Sequence, residues 1–315
     1  MRILIVGFGD VATRLAPLLT PQFRVYGLIR DRNKAALLRE LGVTPVLGDL
    51  DARQTLVRVG GLADCVVHLA PPPPSGPGDP RTRHLLAALS AGAGGEYSRS
   101  GESAHCHVVY VSTTGVYGDC GGAWVNECRA PHPGNERGRR RLDAETALRA
   151  WVQSAPAHRS VSILRAPGIY AADRLPIARL KAGLPALSPE EDSYSNHIHA
   201  DDLARAVMAA LFRGRNGRVY NTCDDAPLRM GEYFDAVADR FGLARPARIS
   251  RQQAERDLPE SLLSFMRESR RLDNGRMRRE LRLDLAYPTV ASMLAGLTDL
   301  AVRGALSAPD DIRPR

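Results

Sequence analysis

The stretch that decides the fold is the N-terminal sequence MRILIVGFGDVATRL, residues 1–15. Arg2 to Val6 form a nearly continuous apolar run, which is typical of a strand buried on both faces of a parallel sheet. Gly7, Gly9 and Ala12 follow with the spacing G-x-G-x-x-A, and a helical pattern starts there. Gly7 permits a tight turn, Gly9 lets a pyrophosphate approach the backbone, and Ala12 keeps the helix close to the strand. Strand, turn and helix together indicate a dinucleotide-binding site rather than an ordinary strand-to-helix connection.

The composition is that of a soluble globular protein with one large domain or two closely packed ones. Of its 315 residues, 44% are hydrophobic and 25% are charged, which is enough to bury a large core. It has no run of 18 apolar residues and no signal-peptide pattern, so no membrane segment is expected. The five cysteines include no C-x-x-C pair, which argues against a disulfide framework and against a zinc site. We expect a protein of the reducing cytoplasm without a bound metal.

The formal net charge of +8 is able to attract nucleic acid, anionic membranes or anionic small molecules. Arginines are densest at Glu136–Arg141 and Arg267–Arg282, and no aromatic residues interleave these patches. A platform for single-stranded nucleic acid needs such aromatic residues, so a nucleic-acid partner is not expected. A phosphate-bearing cofactor or an anionic substrate explains the charge, and a GC-rich genome that favours arginine explains it equally well.

Strand and helix patterns alternate through the first half of the chain, which predicts a doubly wound parallel sheet, the Rossmann arrangement of α/β proteins. The second strand, Arg24–Ile29, ends at Arg30, about twenty residues past the glycines. An acidic residue there would hold the ribose 2′-hydroxyl of NAD, whereas an arginine accommodates the 2′-phosphate of NADP. Arg30 therefore favours NADP, and Asp31 would favour NAD if the strand ended one residue later.

Three further segments follow predicted strands and lie where such sheets bind ligands. Asp49 either accepts a hydrogen bond from an adenine amine or, like Asp51, caps the next helix. A run of four prolines after the fourth strand predicts a stiff loop that ends the sheet. The hydroxyl cluster Ser112–Thr114 after the fifth strand bonds a substrate oxygen or the nicotinamide ribose, or satisfies local backbone groups. The intervening segment Ser90–His105 is predicted to be a surface loop.

The chain resembles the short-chain dehydrogenase/reductase superfamily in its extended and atypical branch, the NAD-dependent epimerase/dehydratase-like proteins. The matching stretches occur in family order: GFGDVA at 7–12, GDL at 48–50, HLAPPPP at 68–74, VYVSTTGVYGD at 109–119, ETALRAW at 145–151, ILRAPGIY at 163–170, NHIHADDLARAV at 196–207 and RLDNGRMRRELRLDLAYPTV at 271–290. The resemblance covers nearly the whole chain and is more specific for fold and cofactor than for the reaction. It implies a Rossmann domain with a smaller, mainly helical C-terminal lobe that binds the substrate.

The resemblance also implies roles for single residues. The family's catalytic hydroxyl, which bonds the reacting oxygen, falls at Thr113. The Asp-Glu pair of sugar dehydratases would fall at Thr114 and Gly115 and is absent, so a sugar dehydratase is not expected. The backbone at Pro167 is expected beside the nicotinamide. With the glycine motif, the predicted cofactor-binding set is Gly7, Phe8, Gly9, Asp10, Val11, Ala12, Arg30, Asp49, Leu50, Leu69, Ala70, Pro71, Ser112 and Pro167.

The family's catalytic Tyr-x-x-x-Lys pair is missing from this sequence. Its two positions fall at Arg137 and Arg141, and arginine stays protonated and cannot carry a proton near pH 7. Arg141 either clamps a ribose or stabilises an oxyanion, or it pairs with Glu145 on a solvated helix face. Tyr117 is the nearest substitute proton carrier, with water as the alternative.

The predicted NAD(P)-binding domain comprises residues 1–170 and is completed by 196–222. Residues 171–195 and 223–306 form the substrate lobe, with helices at Met230–Phe241 and Thr289–Val302, and residues 307–315 form a flexible tail. His197 and His199 have no third ligand nearby, so a metal is not expected and His199 is interpreted as structural. Asp201 or Asp202 is expected to cap the helix that follows.

Two functions from different classes follow. The first is an NADP-preferring or NAD-dependent oxidoreductase or epimerase-like enzyme that acts on a hydroxyl or carbonyl carbon of a small anionic or nucleotide-linked sugar-type substrate. The second is a cofactor-binding protein without turnover, such as a redox sensor or an interaction scaffold, because the Tyr-x-x-x-Lys pair is absent. A homodimer is one alternative for the oligomeric state.

Overall fold

A computed structural model describes residues 1–91 and 105–307. Its strands are β1 Arg2–Val6, β2 Arg24–Ile29, β3 Thr44–Leu47, β4 Cys65–His68, β5 Cys106–Thr113, β6 Trp124–Val125, β7 Arg159–Ala166, β8 Gly168–Tyr170, β9 Ala186–Leu187, β10 Tyr194–Ser195, β11 His197–His199, β12 Arg218–Asn221, β13 Leu228–Arg229, β14 Arg248–Ile249 and β15 Arg271–Leu272. Its helices are α1 Asp10–Leu19, α2 Ala35–Glu40, α3 Pro80–Ala91, α4 Glu136–Gln153, α5 Ile177–Lys181, α6 Ala200–Arg213, α7 Met230–Phe241, α8 Arg251–Asp257, α9 Glu260–Met266, α10 Gly275–Leu281, α11 Val290–Ala295 and α12 Asp299–Ser307.

Seven parallel strands form the central sheet in the order β12-β7-β5-β4-β1-β2-β3. The chain reverses its direction of winding between β1 and β4, and doubly wound sheets bind ligands in the crevice at this switch point. The glycine turn after β1 lies at that crevice. The predicted doubly wound α/β fold is confirmed.

The two faces of the sheet are covered by different helices because side chains alternate along each strand. On β1, Ile3 and Ile5 belong to the apolar cluster that includes α1 and α6. Leu4 and Val6 belong to the opposite cluster, with α3 and α4. Both faces are therefore buried, as the continuous apolar run of β1 predicts.

The C-terminal lobe is built from α5, α7 and α11 around the buried residues Tyr170, Phe234 and Val237, with small two-stranded sheets at its edges. One part of the predicted division is wrong. Met277 and Leu281 of α10 pack into the cluster that covers the central sheet, so this segment belongs to the sheet's own layers. Both side chains are fully buried there, with the apolar residues of α6 in the same cluster.

Several predicted boundaries differ from the structure. Helix α3 continues to Ala91, so Ser90 is helical; the rest of the predicted loop, residues 92–104, lies outside the described residues, as does the predicted tail from 308 onward. The helix predicted at Thr289–Val302 is two helices, α11 and α12, because Gly296 ends the first.

All five cysteines are described, and all are free thiols. In the described ranges, no helix is long and apolar enough to cross a membrane.

Candidate active site

The candidate site is a cleft of about 400 Å³ at the C-terminal ends of β1, β2, β3 and β4. Its walls contain backbone from each of the four connections that follow these strands. The lining residues are Val6, Gly7, Phe8, Gly9, Leu28, Ile29, Arg30, Asp31, Lys34, Gly48, Asp49, Leu50, Leu69, Ala70, Pro71 and Arg81. Nine residues of the predicted cofactor set line it, and the structure brings these distant parts of the sequence together.

The turn between β1 and α1 needs glycine at position 7. Gly7 has φ +89°, and a Cβ there would lie 2.5 Å from the backbone nitrogen of Ala70, so the turn rests directly on the end of β4. Gly9 starts α1 as its N-cap without any side-chain cap, and the space where its Cβ would lie is open for 4 Å. Ala12 is fully buried. The first N–H groups of α1 therefore face free space, which fits the pyrophosphate of a dinucleotide.

The other side chains of the glycine segment do not point to the cleft. Phe8 is 6% exposed and packs in the core, and Val11 packs against the same cluster, so only their backbone is available to a ligand. The Asp10 carboxylate accepts hydrogen bonds from Arg14 at 3.0 Å and Arg174 at 2.8 Å. Burial alone would raise the pKa of Asp10, but these two guanidinium groups hold it below its usual value. Asp10 is thus ionised beside the first turn of α1 and tied to the lobe.

The end of β2 places cations at one wall of the cleft. Arg30 is exposed and lines it, whereas the carboxylate of Asp31 accepts a hydrogen bond from the backbone of Asn33 at 2.9 Å. Lys34 also lines the cleft, and its ammonium group lies 3.4 Å from the carbonyl of Phe8. Strand β2 ends at Ile29, so the alternative register that would exchange Arg30 for Asp31 does not occur.

Asp49 lies in the cleft, but neither Asp49 nor Asp51 caps a helix. Asp49 accepts a hydrogen bond from the backbone of Asp51 at 2.9 Å, which is a local turn, and Ala52 holds the N-cap position of the following 3₁₀ turn. The Asp51 carboxylate is instead bound by Arg81 through two hydrogen bonds of 2.7 and 2.6 Å. The prediction that Asp49 or Asp51 caps a helix is therefore wrong, because the carboxylate of each residue binds another partner.

Arg81 is a cleft residue that sequence reasoning missed. Besides Asp51, its guanidinium donates to the carbonyl of Pro71 at 3.1 Å, so it fixes the proline loop at the end of β4. Leu69, Ala70 and Pro71 line the cleft beside it. The available signal in the sequence was an arginine at the second position of the helix that follows the proline run.

The hydroxyl cluster divides between interior and surface because β5 continues to Thr113, two residues further than predicted. Ser112 then points to α4: it is 3% exposed and donates to Glu145 at 2.6 Å. The expectation that its hydroxyl binds cofactor is therefore wrong for the side chain. Thr113 is half-buried and points to the opposite face, and its Oγ1 accepts a hydrogen bond from the backbone of Gly115 at 3.2 Å.

Tyr117 is an interior residue. It is 1% exposed, its hydroxyl donates to Asn221 at 2.8 Å, and the Arg165 guanidinium lies 4.7 Å from the centre of its ring. Burial raises the pKa of Tyr117, with Arg165 opposing the shift. The interpretation of Tyr117 as a substitute proton carrier is wrong, because the 3₁₀ turn Thr114–Tyr117 carries its ring inward.

Arg141 binds the ends of two strands instead of a carboxylate. Its Nη1 donates to the carbonyl of Val111 and to the hydroxyl of Tyr110, both at 3.1 Å, and lies 3.5 Å from the carbonyl of Ala70. The predicted pair with Glu145 does not form, because Glu145 is bound by the buried Arg165 at 2.6 and 3.0 Å. Arg141 therefore joins α4 to the sheet edge at which the cofactor cleft lies.

The segments after β7 complete the site. Pro167 is half-buried and Gly168 exposed between β7 and β8, and neither lines the cleft. His199, not Asp201 or Asp202, caps α6: its Nδ1 accepts from the backbone of Asp201 at 3.2 Å, as befits a structural histidine. Asp202 accepts from the backbone of residues 286 and 287 instead. No group of three or more potential metal ligands occurs in the described ranges.

The fold and the cleft define a protein of the dinucleotide-binding α/β class, and comparison with known proteins specifies the family. The sequence model of the NAD dependent epimerase/dehydratase family matches residues 3–223. The chain belongs to this family.

Three proteins of known sequence or structure share 30% identity or less with this chain. "Protein YeeZ" of Escherichia coli K12 is 29% identical over 188 residues, which cover 58% of this chain and 61% of that protein; the chain thus matches about three fifths of its length. A functionally unknown conserved protein from Silicibacter pomeroyi is 30% identical, with a TM-score of 0.75 over 93% of this chain and 96% of that one. UDP-glucuronic acid 4-epimerase from Bacillus cereus, solved with UDP-glucuronic acid and NAD, has a TM-score of 0.70 at 19% identity over 94% and 97% of the chains, which shows the shared fold.

Proposed function

We propose that this protein is an NAD(P)-dependent oxidoreductase or epimerase-like enzyme that acts on a hydroxyl or carbonyl carbon of a small anionic or nucleotide-linked sugar-type substrate. The observation that carries the proposal is the glycine turn at the switch point. Gly7 rests on Ala70, and the open space over Gly9 faces the uncapped start of α1. Family membership supports the same cofactor chemistry.

The residues of the cleft have distinct tasks in this proposal. The first turn of α1 binds the pyrophosphate, Asp49 and Leu50 bind the adenosine, and Arg141 orients the ribose next to the nicotinamide. When bound, the nicotinamide accepts or donates a hydride. Thr113 holds the reacting oxygen, because its half-buried hydroxyl lies at the end of the central strand β5. Tyr117 is buried, so water carries the proton.

We propose NADP as the preferred cofactor. Arg30 is exposed at the end of β2 and lines the cleft, with Lys34 beside it, whereas the Asp31 carboxylate is engaged by its own turn. An arginine at this position forms a charge-assisted hydrogen bond with the 2′-phosphate of NADP. The neutral 2′-hydroxyl of NAD offers no such charged partner.

Thermal unfolding with NADPH, NADH and their oxidised forms tests cofactor binding. A ligand at a hundredfold excess over its dissociation constant adds about 2.7 kcal/mol of stability, which corresponds to about 4 °C in Tm for a chain of this size. We expect a larger shift with NADPH than with NADH, and expect Arg30→Ala to remove the difference. Arg32→Ala is the matched control, since Arg32 lies two residues further on and outside the cleft. The absence of a shift with any nicotinamide would refute the proposal.

Turnover is tested with a panel that includes UDP-glucuronic acid and UDP-glucose, whose sugar lacks the carboxylate. The reaction is followed through the absorbance of NADPH or by product analysis. Thr113→Val is expected to abolish turnover and leave NADPH affinity within twofold, because in this proposal the hydroxyl binds the substrate and not the cofactor. Activity equal to wild type would remove Thr113 from the mechanism.

A second candidate is a cofactor-binding protein without turnover, acting as a redox sensor or interaction scaffold. The observation that favours it is the burial of Tyr117 together with arginine at both positions of the missing pair. NADPH that binds but is oxidised by no compound of the panel would favour this function. The oligomeric state, with a homodimer as one alternative, is measured by light scattering on the same samples.

A further inference from the structure

The first two turns of α4 carry an unusual concentration of positive charge. Four arginines lie within Glu136–Arg141, and the first turn contains one acidic residue, Glu136. Cations oppose the helix dipole at a helix N-terminus and are normally placed at the opposite end. The arginines at the N-terminal end of α4 are therefore electrostatically unfavourable for the helix.

The surrounding carboxylates do not neutralise Arg137. Each of them already binds another guanidinium at 2.6 to 3.2 Å: the pairs are Glu136–Arg140, Asp143–Arg83, Glu145–Arg165 and Glu268–Arg270. Across residues 1–91 and 105–307, Arg137 has no hydrogen bond or ion pair. Its one-turn neighbour Arg141 also lacks a carboxylate and is bound by neutral oxygens.

Arg137 lies beside the turn that follows Thr113. A Cβ on its neighbour Gly138 would lie 2.7 Å from the carbonyl oxygen of Gly115, so the first turn of α4 rests directly on this segment. The same Gly115 donates its N–H to the Thr113 hydroxyl. Because Arg137 and Arg141 are four residues apart on one helix, they share a face, and Arg141 fixes that face against the sheet edge.

The environment of Arg137 is both accessible and electrostatically strained. Its side chain is exposed to solvent, yet desolvation by surrounding protein, together with repulsion from Arg141 and Arg140, lowers its pKa. No carboxylate of the described residues pairs with Arg137 to offset this repulsion. An anion bound there would relieve the repulsion and find a planar fork that matches an oxyanion.

We propose that Arg137 is the receptor for an oxyanion group of the substrate, a carboxylate or a phosphate, held beside the Thr113 hydroxyl. The substrate class is then an acid or a phosphate ester, and a neutral sugar alcohol is a poor ligand. This inference rests on the proposed function, because it identifies which group of the proposed substrate lies beside Thr113. Its physical basis is independent of the cofactor: an exposed guanidinium that has no carboxylate partner among the described residues and lies beside the turn that follows Thr113.

The test is calorimetric titration of the full chain with malonate and with inorganic phosphate at constant ionic strength. Saturating NADP⁺ keeps phosphate out of the cofactor cleft, and a second series omits it. We expect wild type to bind at least one of the two anions, and Arg137→Gln to weaken that binding tenfold or more. Arg137→Lys should fall between them, because an ammonium retains the charge without the fork. Arg139→Gln removes the same charge two residues away on another face of α4 and should stay within twofold of wild type.

Tighter binding of malonate would identify a carboxylic acid, and tighter binding of phosphate a phosphate ester. Equal affinity of wild type and Arg137→Gln, or no binding of either anion to wild type, would overturn the inference. An unchanged Tm of Arg137→Gln shows that the variant is folded. NADPH titration of the same samples separates the two proposals. If wild type does not bind NADPH, only the proposed function is refuted. If Arg137→Gln binds the anions as wild type does, only the role of Arg137 as receptor is refuted.

Discussion

Replacing Gly7 by alanine introduces one methyl group at the point where the β1–α1 turn touches β4. Gly7 has φ +89°, and the new Cβ would lie 2.5 Å from the Ala70 nitrogen and 2.7 Å from its Cα. A left-handed conformation costs an alanine about 1–2 kcal/mol, and moving packed backbone to remove an overlap costs about 1–3 kcal/mol more. We therefore expect a loss of about 2–5 kcal/mol in the free energy of unfolding.

This loss is measured by urea unfolding and by Tm. The unfolding entropy of a chain of 315 residues converts 3 kcal/mol into a decrease of about 4–5 °C. Gly9→Ala is the matched control: Gly9 has φ −109°, and its Cβ would meet nothing within 4 Å. Its stability should change by about 1 kcal/mol or less, the cost of losing glycine at an N-cap, while its methyl group occupies the space assigned to the pyrophosphate and weakens NADPH binding at least tenfold.

The two variants thus separate folding from binding. The reasoning is refuted if Gly7→Ala keeps its Tm within 1 °C of wild type, since the turn would then not need its left-handed glycine. It is equally refuted for the site if Gly9→Ala binds NADPH as wild type does, because the open space over α1 would not hold the cofactor.

Three further predictions concern buried groups. Tyr117→Phe should cost about 1 kcal/mol in urea unfolding, the value of its hydrogen bond to Asn221, and leave NADPH affinity unchanged; a large loss of turnover at normal stability would contradict the assigned interior role. Glu145→Gln should cost about 3–5 kcal/mol, because it leaves the buried Arg165 without its counter-charge; a loss below 1 kcal/mol would contradict this. Burial raises the pKa of Asp224 to about 8, above its unfolded value of 3.8, so the folded state binds the extra proton and stability falls as pH rises between these values. In wild type this group should lower the free energy of unfolding by up to about 1.4 kcal/mol per pH unit in that range, and Asp224→Asn should remove this pH dependence. Identical pH profiles of stability for wild type and Asp224→Asn would refute the prediction.

The cofactor end of the site was predictable because backbone geometry dominates it. The apolar run of β1, the spacing of Gly7 and Gly9 and the end of β2 at Arg30 each follow from local rules. These rules concern positions along the chain, and the structure brings the same positions to one cleft. Arg81 escaped because its role depends on the carbonyl of Pro71, which no periodicity reveals.

The reacting end was less predictable because its residues are selected by side-chain direction. An extension of β5 by two residues sends Ser112 to Glu145 and leaves Thr113 on the other face. Spacing alone also suggested a pair between Arg141 and Glu145, four residues apart. That pair loses to the buried Arg165, which binds both carboxylate oxygens of Glu145 from another strand.

These contacts explain why the arginines of α4 have different consequences for the site. The carboxylate that local spacing offers to Arg141 is taken by the interior, so Arg141 turns to neutral oxygens at the sheet edge. A guanidinium bound only by neutral oxygens keeps its full charge, and Arg137 one turn earlier is not paired at all in the described part of the chain. The positive potential at the reacting end therefore comes from Arg137 and Arg141, because Glu145, the carboxylate four residues after Arg141, is bound to Arg165. It follows that Glu145→Gln, if folded, changes anion affinity at Arg137 far less than Arg137→Gln does, because the interior carboxylate never neutralised that surface.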